Sequence, residues 1–228
     1  MKHDVVKGMF ALRLMHVTKK WKRIDSLMVN ACRRRKVCNK KQLVYINNAI
    51  QEDLSWAINH LKHSGGVHLL KSFTWTPNSA DFTIICDACP DEMGFWYPVS
   101  KDGYYVPTPV NIPSNIIFYF ESLCVLSALE HVQMKVKHGS KILIHTDNSN
   151  TVDIFHTFHC LSSYNHLLKA AVDIIIQNDY SLCVLHVPGD QTVVANALSC
   201  VRFSIPLQAV PSLSLYTFNL PGLVGSPL

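Results

Sequence analysis

Two stretches decide the fold: Lys141-Ile142-Leu143-Ile144-His145-Thr146-Asp147-Asn148 and Leu182-Cys183-Val184-Leu185-His186-Val187-Pro188-Gly189. Each opens with an apolar run short enough for a buried strand. The first run ends on a carboxylate, the second on a Pro-Gly turn signal. Upstream, Phe82–Asp87 is another continuous apolar run that ends on a carboxylate. If the runs at 82–87 and 141–146 lie side by side and parallel, Asp87 and Asp147 emerge at the same edge of one sheet.

Outward from these runs the pattern alternates. Gly94, Phe95 and Trp96 mark a second strand and Tyr104–Val106 a third, with Lys101-Asp102-Gly103 as the turn between them. Pro107, Pro109 and Pro113 mark a loop. Ile117, Phe120, Cys124, Ala128 and Val132 then share a helical face, in a helix expected to end near Gly139. It is apolar on most sides, as a buried helix is. Tyr164, Leu167, Leu168, Ala171, Val172 and Ile175 outline an amphipathic helix. Asp190 is placed to cap a last helix running through Leu198. The order β-β-β-α-β-α-α-β-α predicts an α/β domain on a mixed sheet.

The flanks differ. Leu43, Ile46, Ile50, Leu54, Ala57, Ile58 and Leu61 predict a helix over 42–63, closed by Gly65-Gly66, with Trp75, Pro77 and Asn78 as a linker. Residues 203–228 carry no charge, and Pro206, Pro211, Pro221 and Pro227 argue against regular structure there. Four segments follow: a basic, poorly ordered arm at 1–41, a helical connection and linker at 42–78, the α/β domain at 79–202, and an uncharged tail at 203–228. No internal repeat is present.

A chain of 228 residues with 48% hydrophobic content fits one packed domain plus such flanks. Its charge is uneven. Of 21 Lys/Arg and 16 Asp/Glu, residues 1–41 hold 13 and 2, leaving 8 and 14, a net of −6, for the remainder. A basic arm on an acidic domain suits a polyanion partner held near a cation site. Arg33-Arg34-Arg35-Lys36 can equally be a solvated run or a localisation signal. Eight cysteines, most within apolar patterns, read as reduced core thiols in the absence of a secretory signal. No uninterrupted apolar stretch long enough for a membrane span occurs. The expectation is an intracellular protein, cytoplasmic or nuclear, with no membrane partner and no small-molecule cofactor. The oligomeric state is left open.

Asp87, Glu121 and Asp147 form the chemical constellation. Glu121 stands near the start of the long helix, beside its apolar face, and can point back at the sheet edge. Singly, an acid at a strand end is usually a turn former or cap. Together, carboxylates held close repel one another unless cations neutralise them. Hard divalent ions do so through oxygen ligands. Two such ions roughly 3.5–4 Å apart can activate water and stabilise a leaving oxygen in phosphodiester cleavage.

The local contexts of these acids resemble the ribonuclease H domain of reverse-transcribing retroelements. They are Cys86-Asp87-Ala88-Cys89-Pro90 with Gly94-Phe95-Trp96, then Phe120-Glu121-Ser122-Leu123 and Thr146-Asp147-Asn148. Tyr164-Asn165-His166-Leu167-Leu168, His186-Val187-Pro188-Gly189-Asp190 and Val194-Ala195-Asn196-Ala197-Leu198-Ser199-Cys200 continue the series. The resemblance is to fungal DIRS- and gypsy-like retrotransposons and covers about residues 42–228. It includes the Asp53-Leu54-Ser55-Trp56-Ala57 helix, similar to the piece joining polymerase to ribonuclease H.

The resemblance implies a ribonuclease H-like fold: a five-stranded mixed sheet flanked by helices, with an N-terminal helical extension. It implies hydrolysis of the RNA strand of an RNA–DNA hybrid with Mg2+ (or Mn2+). Asp87 would bridge both metals, and Glu121 and Asp147 would hold the leaving-group ion. The fourth position, Asn196, would help hold the ion that prepares water. The family's Ala-Asp-Ala-Leu-Ser-Arg segment has an acid there, and its final arginine is Cys200 in this chain. An amide keeps one oxygen ligand and loses the charge, so cleavage is expected to be weakened. Asp190 is the nearby acid that could compensate, although as a helix cap it would lie more than a turn away.

Other readings stand beside these. His186 can be a general base, or a packed strand histidine. Cys86-x-x-Cys89 lacks a second ligand pair for zinc, and Cys32 and Cys38 are too loosely spaced to supply one. Ser199 has no nucleophile context. No Tyr-x-Asp-Asp polymerase motif occurs, so the expectation is a fragment of a retroelement. An impaired nuclease, a nucleic-acid-binding pseudoenzyme and a relic without function remain as alternatives.

Overall fold

The computed structural model describes residues 48–63, 75–109, 117–157, 160 and 164–222. The basic arm at 1–41, the first six residues of the helix expected over 42–63, Gly65-Gly66, Pro113, Cys32 and Cys38 lie outside the described residues. The chain divides into two units, Met1–Phe73 with Thr157–His159, and Thr74–His156 with Cys160–Leu228. In the first, α1 spans Asn48–His63 and carries the 53–57 segment. Gln51, Glu52, Ser55 and Asn59 are exposed along it.

The second unit is built on a six-stranded sheet. Its strands are β1 (Phe82–Ala88), β2 (Glu92–Tyr97), β3 (Asp102–Pro107), β4 (Lys141–Thr146), β5 (Ser181–His186) and β6 (Ser214–Thr217). They lie in the order β5-β4-β1-β2-β3-β6. β2 is antiparallel to β1 and β3, whereas β4 is parallel to β1 and β5. The helices are α2 (Ile117–Val132), α3 (Ser149–Thr157), α4 (Asn165–Gln177), α5 (Val193–Ser199) and α6 (Ser204–Ala209). Through α5 this is the β-β-β-α-β-α-α-β-α order expected from the sequence, and it is the ribonuclease H-like architecture. Among the described residues no helix is long and apolar enough to cross a membrane.

Strand alternation assigns the two faces. Phe95 and Tyr97 point to the α2 side, where both rings meet His131. Gly94 and Trp96 point to the α5 side, where Trp96 packs with Val194, Leu198 and Leu213. The apolar pattern of α2 holds, since residues from Tyr119 to Leu129 are buried without a break. Its serines are satisfied within the helix: Ser122 Oγ donates to the Phe118 carbonyl at 2.9 Å and Ser127 Oγ to the Leu123 carbonyl at 2.8 Å.

Four expectations are corrected. α2 ends at Val132, not near Gly139; turns follow it, and Gly139 takes φ 82° while donating to the Asn178 carbonyl at 2.8 Å. The β2–β3 turn is Pro98–Lys101, with Lys101 at φ 59°, so Asp102 and Gly103 already pair in β3. The helix expected to be last begins at Val193 after Thr192, and Asp190 sits in a separate turn, Gly189–Gln191, two residues too early to cap it.

The fourth concerns the tail expected at 203–228: its described part, residues 203–222, is not irregular, and residues 223–228 lie outside the described residues. Ser204–Ala209 is helical, with Pro206 in the first turn, where no backbone donor is missed. Ser214–Thr217 adds a sixth strand to the five expected, parallel to β3. Packing outweighs the proline signal: Leu213 and Phe218 are buried, Phe218 lies 4.9 Å from the Phe95 ring, and Tyr216 stacks on Tyr104 at 5.3 Å.

Candidate active site

The register places two of the acids. Ile85 pairs with His145, so two residues further on Asp87 and Asp147 leave the adjacent parallel strands β1 and β4 at the same level. Glu121 reaches them from the second turn of α2, with Thr146 hydroxyl donating to one of its oxygens at 3.3 Å and the Ala88 N–H to the other at 3.4 Å. One ligand oxygen from each of Asp87, Glu121 and Asp147 lies within 4.8 Å of the others. Asp87 and Glu121 are only 4% and 3% exposed, so water does little to screen this crowding.

Thr-Asp-Asn has a structural logic besides its chemistry. Thr146 holds Glu121, and its hydroxyl accepts the Asn148 N–H at 3.2 Å. Asn148 caps α3, its side-chain oxygen accepting the Thr151 N–H at 3.0 Å. Asp147 is thus fixed between a strand end and a helix start. Gly189 crosses just beside it: a β-carbon there would come within 3.3 Å of Asp147 Oδ2.

α5 closes the site from the other face. It approaches β2 so closely that a β-carbon on Gly94 would meet Leu198 Cβ at 2.6 Å and the Ser199 nitrogen at 3.0 Å. This contact delivers Ser199, which is fully buried, to Asp87: Ser199 Oγ donates to Asp87 Oδ2. Ser199 also lies 2.9 Å from the Asn196 carbonyl, one turn back along the helix. Asn196 itself is exposed, and its Oδ1 accepts the Cys200 thiol at 3.8 Å. The structure therefore gathers three of the four expected site residues and sets the fourth on the solvent side of α5, adjacent through Ser199.

Burial and crowding set the electrostatics. Burial, with the Asp147 charge adding, pushes the Asp87 carboxyl up from 3.8 to about 6 against the pull of the Ser199 hydrogen bond. Glu121 rises from 4.5 to about 8, through burial first and then the charges of Asp87 and Asp147, while Ala88 N–H and the Thr146 hydroxyl oppose the rise. Among the described residues no lysine or arginine acts on either carboxyl. Three oxygen donors, crowded and without a cationic side chain, fit a hard divalent cation. Such an ion would neutralise the carboxylates and could activate a bound water.

Sequence reasoning weighed Ser199 only as a nucleophile, and read Gly94 and Gly189 only as strand and turn residues; their contacts at the site were missed, and the signal for Ser199 was its i+3 spacing from Asn196. Asp190 is exposed in its turn, and no hydrogen bond ties it to the three acids. His186 is exposed rather than packed, because it is the last residue of the edge strand β5. Cys86 and Cys89 do not form a pair of ligands: Cys86 is buried in the core, and Cys89 donates to the Ser199 carbonyl at 2.8 Å.

No protein-family model matches the chain, and no curated protein matches it. Solved structures do. The chain is similar to a ribonuclease H1 from the halophilic archaeon Halobacterium salinarum, at 13% identity and TM-score 0.42, over 54% of this chain and 97% of that one. It is similar to LC11 ribonuclease H1 in complex with an RNA/DNA hybrid, at 16% and 0.41, over 52% and 93%. A third similar structure is the N-terminal ribonuclease H domain of a Mycobacterium tuberculosis protein, at 10% and 0.41, over 57% and 99%. Strand order and register, rather than these distant likenesses, establish the ribonuclease H-like fold of residues 82–199.

Proposed function

We propose that this chain is a ribonuclease H-type hydrolase acting on the RNA strand of RNA–DNA hybrids, descended from a DIRS- or gypsy-like retrotransposon reverse transcriptase and weakened by Asn196. One observation carries the reading: Asp87, Glu121 and Asp147, each from a different element, converge within 4.8 Å at the carboxyl ends of parallel strands. The sequence contexts of those acids support the retroelement origin.

In this reading Asp87, Glu121 and Asp147 hold Mg2+ or Mn2+, which brings water activation to the phosphodiester. Thr146 and Ser199 orient the carboxylates. Asn196, at the rim, offers a neutral oxygen where a fourth charge would strengthen attraction for a cation. The basic segment 1–41 would grip hybrid phosphates, making affinity fall with salt.

The test is hybrid cleavage in magnesium by the full chain, Asn196→Asp and Asp87→Asn. Asn196→Asp is expected to gain about 10- to 100-fold, the size of effect that even outer contacts of a metal site exert, and Asp87→Asn to lose all cleavage. Cleavage by Asp87→Asn equal to that of the parent chain would reject the site. Asn196 also favours a second reading, a hybrid-binding protein without turnover; salt-dependent binding with no cleavage by the parent chain would select it.

A further inference from the structure

We propose that Cys89 and Cys200 are a modification site: a small-molecule disulfide oxidises them to an internal bridge that pins α5 to the turn between β1 and β2. The proposal is independent of whether the chain cleaves hybrids. Cys89 opens the turn after β1, and Cys200 follows Ser199 at the C-terminal end of α5. Both are half-buried free thiols, whereas Cys86 and Cys124 are buried. Two contacts fix the Cys89 sulfur: it accepts the Glu92 N–H at 3.3 Å and donates to the Ser199 carbonyl at 2.8 Å. That carbonyl belongs to the peptide joining Ser199 to Cys200, which is trans. Its oxygen lies about 3 Å from the next Cα, so the Cys89 sulfur stands within about 6 Å of the Cys200 Cα.

The Cys200 thiol lies on the exposed side of this contact, 3.8 Å from Asn196 Oδ1 and 3.9 Å from the Ser199 hydroxyl. It follows the last helical residue, so its side chain can turn from Asn196 toward Cys89 without breaking α5. Burial first, and the charge of Cys200 among smaller causes, raises the Cys89 pKa, so the two thiols act on each other directly. The exchange balances. The Cys200 thiolate attacks one sulfur of the small disulfide and releases one thiolate; the Cys89 thiolate then attacks the Cys200 sulfur and releases the second. One S–S bond forms in the protein and one breaks in the reagent, which leaves as two thiols carrying the two electrons and the two cysteine protons. Cys86 and Cys124 also lie against each other, but in the core, out of the reagent's reach. Position 200 is arginine in the segment this chain resembles, so the pair is particular to this chain. The bridge closes a ring of more than a hundred residues and holds α5, with Ser199, on the sheet.

The test treats the folded full chain at neutral pH with glutathione disulfide, blocks the remaining thiols and maps linked peptides by mass spectrometry. A linked pair containing Cys89 and Cys200 is expected, and dithiothreitol should remove it. Cys89→Ser and Cys200→Ser should each lack it; the map of the parent chain carries the test even if a serine variant does not fold. The bridged chain should melt about 5–15 °C above the reduced one, because closing so long a loop restrains the unfolded state. Glutathione attached at either cysteine with no link between them would overturn the proposal. So would a link between Cys86 and Cys124 in its place. A link without a rise in melting temperature would overturn the pinning of α5.

Discussion

Raising the pH without a divalent ion destabilises this fold, and the site says by how much. Asp87 titrates at about 6 and Glu121 at about 8 in the folded chain, against 3.8 and 4.5 ordinarily. Both folded-state values are raised, so the folded chain binds the extra protons. The stability this brings is complete below about pH 4 and is lost progressively as pH climbs to about 8. For Asp87 the displacement corresponds to about 3 kcal/mol. Glu121 moves further, by about 5 kcal/mol, from burial first and in part from the Asp87 charge; since only part of each shift falls between pH 5 and pH 8, the pair together loses about 5 kcal/mol over that interval. In a domain of this size that lowers the melting temperature on the order of 10 °C between pH 5 and pH 8. His131 and His145 are held below their usual range by burial and act in the opposite sense over the same window. The informative quantity is therefore a difference. Melting curves in EDTA at several pH values, for the parent chain and Glu121→Gln, should diverge, with the variant gaining on the parent as pH rises. Magnesium should restore the parent at pH 8 and do little at pH 5. Parallel pH profiles for the two proteins, with no added effect of magnesium at pH 8, would refute the argument.

Further outcomes follow from packing. Gly94→Ala drives a β-carbon into Leu198 and should cost about 1–3 kcal/mol of stability, measured by urea unfolding, while weakening Mn2+ binding as α5 lifts. Deleting residues 203–228 removes Leu213 and Phe218 from the core, each worth about 1.5–3 kcal/mol, and bares the β3 edge; a lower melting temperature and concentration-dependent self-association by light scattering are expected. Asn148→Ala removes the α3 cap and should cost about 1 kcal/mol, with faster amide exchange at the start of α3 and none of the pH dependence of Glu121→Gln.

Much of the site was legible because it follows period-two and period-3.6 patterns. The apolar runs at 82–87 and 141–146 give strands, and parallel pairing of neighbouring strands in an α/β domain puts their terminal acids together. Glu121 was legible through its place in a helix too apolar to be exposed. Less was legible where contacts between distant segments override local signals. The prolines of 203–228 predict irregular chain, yet Phe218 and Tyr216 find rings on β2 and β3 to pack against. Asp190 has the chemistry of a cap, but the tight turn at Gly189–Gln191 uses it before the helix starts.

The sequence alone determined the strand and helix order through α5, the carboxylates Asp87, Glu121 and Asp147, and the amide at 196, because these depend on residue type and local period. Tertiary structure alone decided what surrounds them. Only in the folded chain does Gly94 admit α5, Ser199 reach Asp87 across more than a hundred residues, and Gly189 crowd Asp147. A hydrogen bond depends on distance in space, and chain separation carries no record of it.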